Sequence, residues 1–173
     1  MPARIDFSKL ELMDALDVAI LIEAEAYDRY ELFAKQLGHR APGDAASVFR
    51  SMAENEAKHG KELLERRKKL FGKTPMRVSR DDLFDVEAPD VGAAHATIST
   101  RGAFEVALAA EQKALDFYVQ ALPQVNNAEI RELFTELRDE EVEHVRMVRK
   151  SIEALPPGSD QEWEDDPDEI PAL

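Results

Sequence analysis

Residues 49–59 read FRSMAENEAKH, and residues 134–144 read FTELRDEEVEH. Phe, Glu and His coincide at the first, eighth and eleventh places, so Glu56 pairs with Glu141 and His59 with His144. In the first stretch Phe49, Met52, Glu56, His59 and Leu63 recur at three- and four-residue steps, the pattern of a buried helical stripe. In the second, Phe134, Leu137, Glu141, His144, Val148 and Ile152 do the same. A carboxylate and an imidazole therefore fall, twice, where apolar side chains belong.

The repeat extends upstream. EAEAYDRY (23–30) and EQKALDFY (111–118) share Glu, Ala, Asp and Tyr at the first, fourth, sixth and eighth places. Leu16, Ile20, Glu23, Tyr27, Tyr30, Ala34 and Leu37 form one stripe, and Phe104, Leu108, Glu111, Leu115 and Tyr118 form its counterpart. Each half of the chain is thus a helical hairpin that offers one Glu from its first helix and Glu-x-x-His from its second.

Periodicity predicts four helices, at about Lys9–Leu37, Ala45–Leu70, Arg101–Ala121 and Ala128–Ala154. Ser8 with Glu11 suggests a capping box, Gly38 a C-terminal stop, and Asn127 an N-cap. Pro42-Gly43-Asp44 precedes the second helix, and the run Arg66, Arg67, Lys68, Lys69 closes it in accord with the helix dipole. Two links are short. The third, about 71–99, holds Pro75, Pro89 and Gly92 and is long enough to cross the length of a bundle. The expected fold is all-α: a four-helix bundle of two antiparallel hairpins joined by a long crossover. Only MRVS (76–79) suggests a short extended piece. Residues 1–158 form the bundle. Residues 159–173 carry seven acids and no base, which points to a disordered tail, with Trp163 and the closing IPAL as a docking option.

Composition narrows the function. The net charge of -14 argues against nucleic acid and against an anionic membrane surface. An acidic chain does attract cations. With no cysteine, disulfides, Fe–S clusters, thiolate zinc sites and thiol catalysis are excluded. The N-terminus lacks the apolar core of a signal peptide, and no run reaches the ~18 apolar residues of a membrane helix. A cytoplasmic protein is expected.

Four carboxylates and two imidazoles meeting inside a bundle need compensation, because burying an unpaired carboxylate costs many kcal/mol. No Lys or Arg lies beside them on the stripes. Protonation is one escape. Two divalent cations, balancing Glu23, Glu56, Glu111 and Glu141, are the other. Glu-x-x-His places a carboxylate and an imidazole on one face, so both reach one ion. That donor set suits iron or manganese, with zinc as a substitute.

At these residues the sequence resembles the rubrerythrin branch of the ferritin-like superfamily, over about residues 8–154. The resemblance implies a centre of two Fe ions bridged by Glu56 and Glu141. Glu23 and His59 would complete one side, Glu111 and His144 the other. It implies that Tyr30 and Tyr118 donate hydrogen bonds that orient carboxylates. It also implies an oxidoreductase of oxidative-stress defence that reduces peroxide or O2 with ferrous iron. Two departures matter. Rubrerythrins carry a rubredoxin domain whose four cysteines hold an electron-transferring iron; this chain has none, so an external electron donor is expected. They also carry an extra Glu three places after the third-helix Glu. Here that position is Ala114, and its repeat mate is Ala26. The site should then be symmetric, with His59 a constant ligand, and simple ferrous oxidation or slower peroxide turnover fits better than full peroxidase activity.

Two other functions remain open at this level: iron storage or cargo of a protein shell, and a non-catalytic interaction bundle. A homodimer is expected, with exchange of hairpins between chains as an option. His39 and His95 have no Glu three places before them and read as surface residues. Glu25, Glu54, Glu140 and Glu143 lie off the stripes and read as solvated, one of them conceivably on an iron entry path. Met52 and Met147 read as core filler.

Overall fold

The computed structural model describes residues 5–38, 45–83 and 98–161. Four helices make up the architecture: α1 (Leu12–Leu37), α2 (Ala45–Phe71), α3 (Thr100–Ala121) and α4 (Ala128–Glu153). Short 3-10 turns at Phe7–Lys9, Arg80–Leu83 and Leu122–Gln124 accompany them. The described residues include no strand; MRVS (76–79) is irregular. His39, His95 and the tail from residue 162 onward lie outside the described residues, as does the middle of the crossover, 84–97.

The helix ends follow local chemistry. Asn127 Oδ1 accepts from the amides of Glu129 and Ile130 at 2.8 and 3.2 Å, and Ser99 Oγ accepts from Gly102 at 3.0 Å. Gly38 and Gly72 end α1 and α2 with φ of 46° and 61°, a region that costs other residues strain. Their amides reach back to Ala34 O and Lys68 O. The capping box at Ser8 does not form. The Ser8 hydroxyl and amide instead bond Asp6, a 3-10 turn intervenes, and α1 starts at Leu12 with no side-chain cap.

Two apolar clusters make the core. One holds Leu16, Ile22, Ala114, Tyr118, Phe134 and Leu137; the other holds Tyr30, Phe33, Phe49, Ala53, Phe104 and Val148. α1 and α4 run from the first cluster to the second, while α2 and α3 run from the second to the first. The hairpins are therefore antiparallel, and α2 and α3 point the same way. Leu83 belongs to the first cluster and Ile98 packs on the second, so the described ends of the crossover lie at opposite ends of the bundle. Both hairpins of a single chain supply the interior.

Two side chains depart from their expected places. Tyr27 is 37% exposed, at the edge of its stripe rather than in it. Arg67 does more than complement a dipole: it is buried and holds the fully buried Asp17 through paired guanidinium contacts. The Arg77 amide also approaches Asp17, at 3.4 Å, and its guanidinium grips Asp14 and Glu11, which ties the start of the crossover to α1. Among the described residues no helix is long and apolar enough to cross a membrane.

Candidate metal centre

Between the two apolar clusters lies a polar layer. On α1 it falls between Ile22 and Ala26, on α2 between Ala53 and Leu63, on α3 between Ala107 and Ala114, and on α4 between Leu137 and Val148. Its members are Glu23, Glu56, Glu111 and Glu141, exposed by 2–4%, with His144 at 5%. His59 completes it with a side chain 19% exposed. All six residues singled out from the repeat are thus brought together. The two imidazoles stack, with centroids 5.6 Å apart and planes within 7°.

The imidazoles face the carboxylates across the layer. His144 Nδ1 lies 3.3 Å from Glu111, 3.5 Å from Glu141 and 3.5 Å from Glu56. His59 Nδ1 lies 3.7 Å from Glu23 and 3.9 Å from Glu56. Yet both ring nitrogens, Glu111 Oε1 and Glu141 Oε2 are buried with no hydrogen-bond partner among the described residues. Unpaired buried polar atoms are rare because each costs about 1–3 kcal/mol. Ligand atoms about 2.1 Å from a shared ion stand roughly 3.0–3.4 Å apart at ordinary coordination angles. The His144 distances, 3.3–3.5 Å, come close to that spacing. The side chains fit metal ions: three groups, Glu56–His59–His144, Glu23–His59–Glu140 and Glu111–Glu141–His144, each bring ligand atoms within 4.8 Å. Glu56 turns one oxygen to each imidazole and links the two sides.

Protons are the alternative occupants of this charge. Burial, then the facing Glu23, lifts the Glu56 carboxyl to about 8. Burial also pushes Glu141 well up. For His144 burial works downward, but the facing carboxylates of Glu111, Glu141 and Glu56 overcome it and raise the imidazole to about 12.

Glu140 is the residue that sequence reasoning placed in solvent. It is 45% exposed, and its Oε2 lies 3.9 Å from His59 Nδ1, inside the Glu23–His59 group. Repeat alignment offered a signal, because its counterpart in α2 is Asn55, an exposed amide. The His59 side thus has an exposed carboxylate beside it where the His144 side has the Asn55 amide. Tyr30 and Tyr118 are fully buried on opposite sides of the layer, against Phe49 and Phe134 respectively. The donor role expected of Tyr30 is not seen: its hydroxyl has no hydrogen-bond partner among the described residues. Met147 is no core filler; it is 37% exposed and lines a cleft beside His144. Ala26 and Ala114 are buried, so neither brings a carboxylate.

This arrangement has known relatives. The family model described as Rubrerythrin matches residues 14–152. The chain belongs to the Rubrerythrin family. That family groups iron-binding proteins of the ferritin-like superfamily, and the match covers all four helices. Among solved structures, an uncharacterised conserved protein from Magnetospirillum magnetotacticum is 27% identical, with a TM-score of 0.70 over 85% of this chain and 97% of that one. A hypothetical protein from Pyrococcus furiosus, 21% identical with a TM-score of 0.56, covers 86% of this chain and 94% of its own, and shows the fold alone. No curated protein matches the chain significantly.

Proposed function

We propose that this rubrerythrin-family protein is a di-iron oxidoreductase that oxidises ferrous iron with peroxide or O2. The observation that carries the reading is the polar layer itself: buried carboxylates and imidazoles that face one another and leave four ligand atoms unbonded. Glu23, Glu56, His59, Glu111, Glu141 and His144 would hold two Fe ions, with Mn or Zn as substitutes. When bound, a ferrous pair supplies the two electrons that, with two protons, turn one hydrogen peroxide into two waters.

The protein's share is charge and shape. Glu56, placed between the imidazoles, would join the two sides. Loading requires Glu56, Glu141 and His144 to release protons, so binding is proton-linked. Phe49 stacks on Phe104 above the layer, and Tyr118 packs on Phe134 below it, which keeps water from the ends. Access is lateral, through clefts beside His59. These 173 residues hold no cysteine, so the electrons that reset the centre would come from outside them.

The test is anaerobic ferrous titration, followed by rapid mixing with peroxide or with O2. Two irons per chain, oxidised faster by peroxide, support a peroxidase. Faster oxidation by O2 with iron retained as mineral supports the second reading, iron handling, which the acidic clefts favour. A chain that takes up no iron ends both.

A further inference from the structure

Resting on the dinuclear reading, we propose that Glu140 is a further ligand of the ion at His59, and that this ion exchanges with solvent more readily than the one at His144. The two sides differ in carboxylate supply. His144 draws on Glu111, Glu141 and the shared Glu56; His59 draws on Glu23, Glu56 and Glu140. The carboxylate that Glu141 provides from the α4 stripe to the buried side is thus replaced, at His59, by its neighbour off the stripe.

Three observations single Glu140 out from an ordinary surface acid. First, Glu136, Asp139 and Glu143 each face an arginine: Arg66 at 3.6 Å, Arg138 and Arg146 at 2.6 Å. Glu140 pairs with no Lys or Arg among the described residues; its one ion-pair neighbour is His59. Second, the His59 Nδ1 it faces is buried and unbonded. Third, Glu140 and His59 both line two separate surface clefts between α2 and α4, of about 250 and 420 Å³. They stand where both clefts meet the polar layer, and only the larger cleft also touches His144. A carboxylate there can take a hydrated divalent cation from the cleft and hand it to His59 and Glu23. At Asn55, its repeat counterpart, an amide carries no charge to do so.

Anaerobic Co(II) titration, read by calorimetry and by visible absorption, tests this. Wild type should bind two ions in separable steps, with the weaker step lost in His59→Ala. Glu140→Gln should weaken that same step by about tenfold or more, leave the tighter step unchanged, and alter the ligand-field spectrum of the weaker site. Glu136→Gln removes the same charge from the cleft wall and controls for long-range attraction; its effect should stay within about threefold. In wild type, a chelator should strip the weaker ion first. Glu140→Gln binding like wild type, weakening both steps equally, or matching Glu136→Gln overturns the proposal while the dinuclear reading survives. Failure of wild type to bind Co(II) at all overturns the dinuclear reading, and this inference with it. Circular dichroism on the variants separates loss of the site from loss of the fold.

Discussion

The halves of the chain began as one pattern and ended as two environments. His144 is 6% exposed in its side chain, with carboxylates at 3.3–3.5 Å, whereas His59 is 19% exposed with carboxylates at 3.7–3.9 Å. A second contrast lies one level away. Hairpin α1–α2 buries the Asp17–Arg67 pair; at the equivalent places α3–α4 has an exposed Glu105 and the apolar Ile152. Repetition of a motif therefore fixes which atoms can meet, and the neighbours decide how tightly they meet and who can reach them.

The largest effect should come from the residue common to both sides. Glu56→Ala should abolish both metal-binding steps, by about 100-fold or more, whereas Glu111→Ala should cost mainly the tighter one. Metal analysis after anaerobic loading checks this, and independent loss of a single ion in Glu56→Ala would show that the sides share nothing.

Next in size is the hairpin contrast. Asp17→Ala leaves the Arg67 guanidinium buried and unpaired, and should destabilise the protein by about 3–5 kcal/mol in urea unfolding. Replacing both with apolar residues, Asp17→Leu with Arg67→Ile, should recover most of that, as the second hairpin already does at Ile152. No recovery in the double variant would mean that the pair specifies the register.

The pH dependence of metal-free stability probes the polar layer. Folded Glu56 keeps its proton to about 8, while the unfolded carboxyl releases it near its ordinary 4.5. The folded state binds more protons in that window, so this contribution is complete below 4.5 and lost as pH rises through 8. His144 acts with the same sign above 6.5, since it holds its proton to about 12. Between pH 5.5 and 7.5, Glu56 alone should remove about 2–3 kcal/mol. Thermal melts of chelated protein should fall across this range, and added metal should raise the melting temperature more at pH 7.5 than at 5.5. A flat profile would mean that these carboxyls are already solvated.

The smallest effect should follow from restoring the symmetry. Asn55→Glu places a carboxylate on the cleft that also touches His144, and should tighten the buried site by about two- to threefold at low salt. A larger gain would make the His144 side more open than its burial suggests.

Much of this was readable in the chain. Three- and four-residue spacing depends only on helix geometry, so it located the helices, their stripes and the six inward polar groups; Asn127 and Gly38 marked ends because caps are local. The reading failed where distance along the chain hides proximity. Asp6 took the bond that Ser8 and Glu11 were to share. Arg67 found Asp17 fifty residues away. Tyr27 fell at the margin of its stripe, where it stays 37% exposed.

The sequence by itself determined that four carboxylates and two imidazoles point into a helical bundle in two equivalent sets, since periodicity assigns each residue to a face. Only the tertiary structure decided that the sets are unequal. Glu140 stands one residue, about 100° of helical turn, off its stripe, and whether such a side chain meets water or an imidazole depends on how far α2 and α4 stand apart. That separation is set by the packing of two clusters drawn from all four helices, which no single helix encodes.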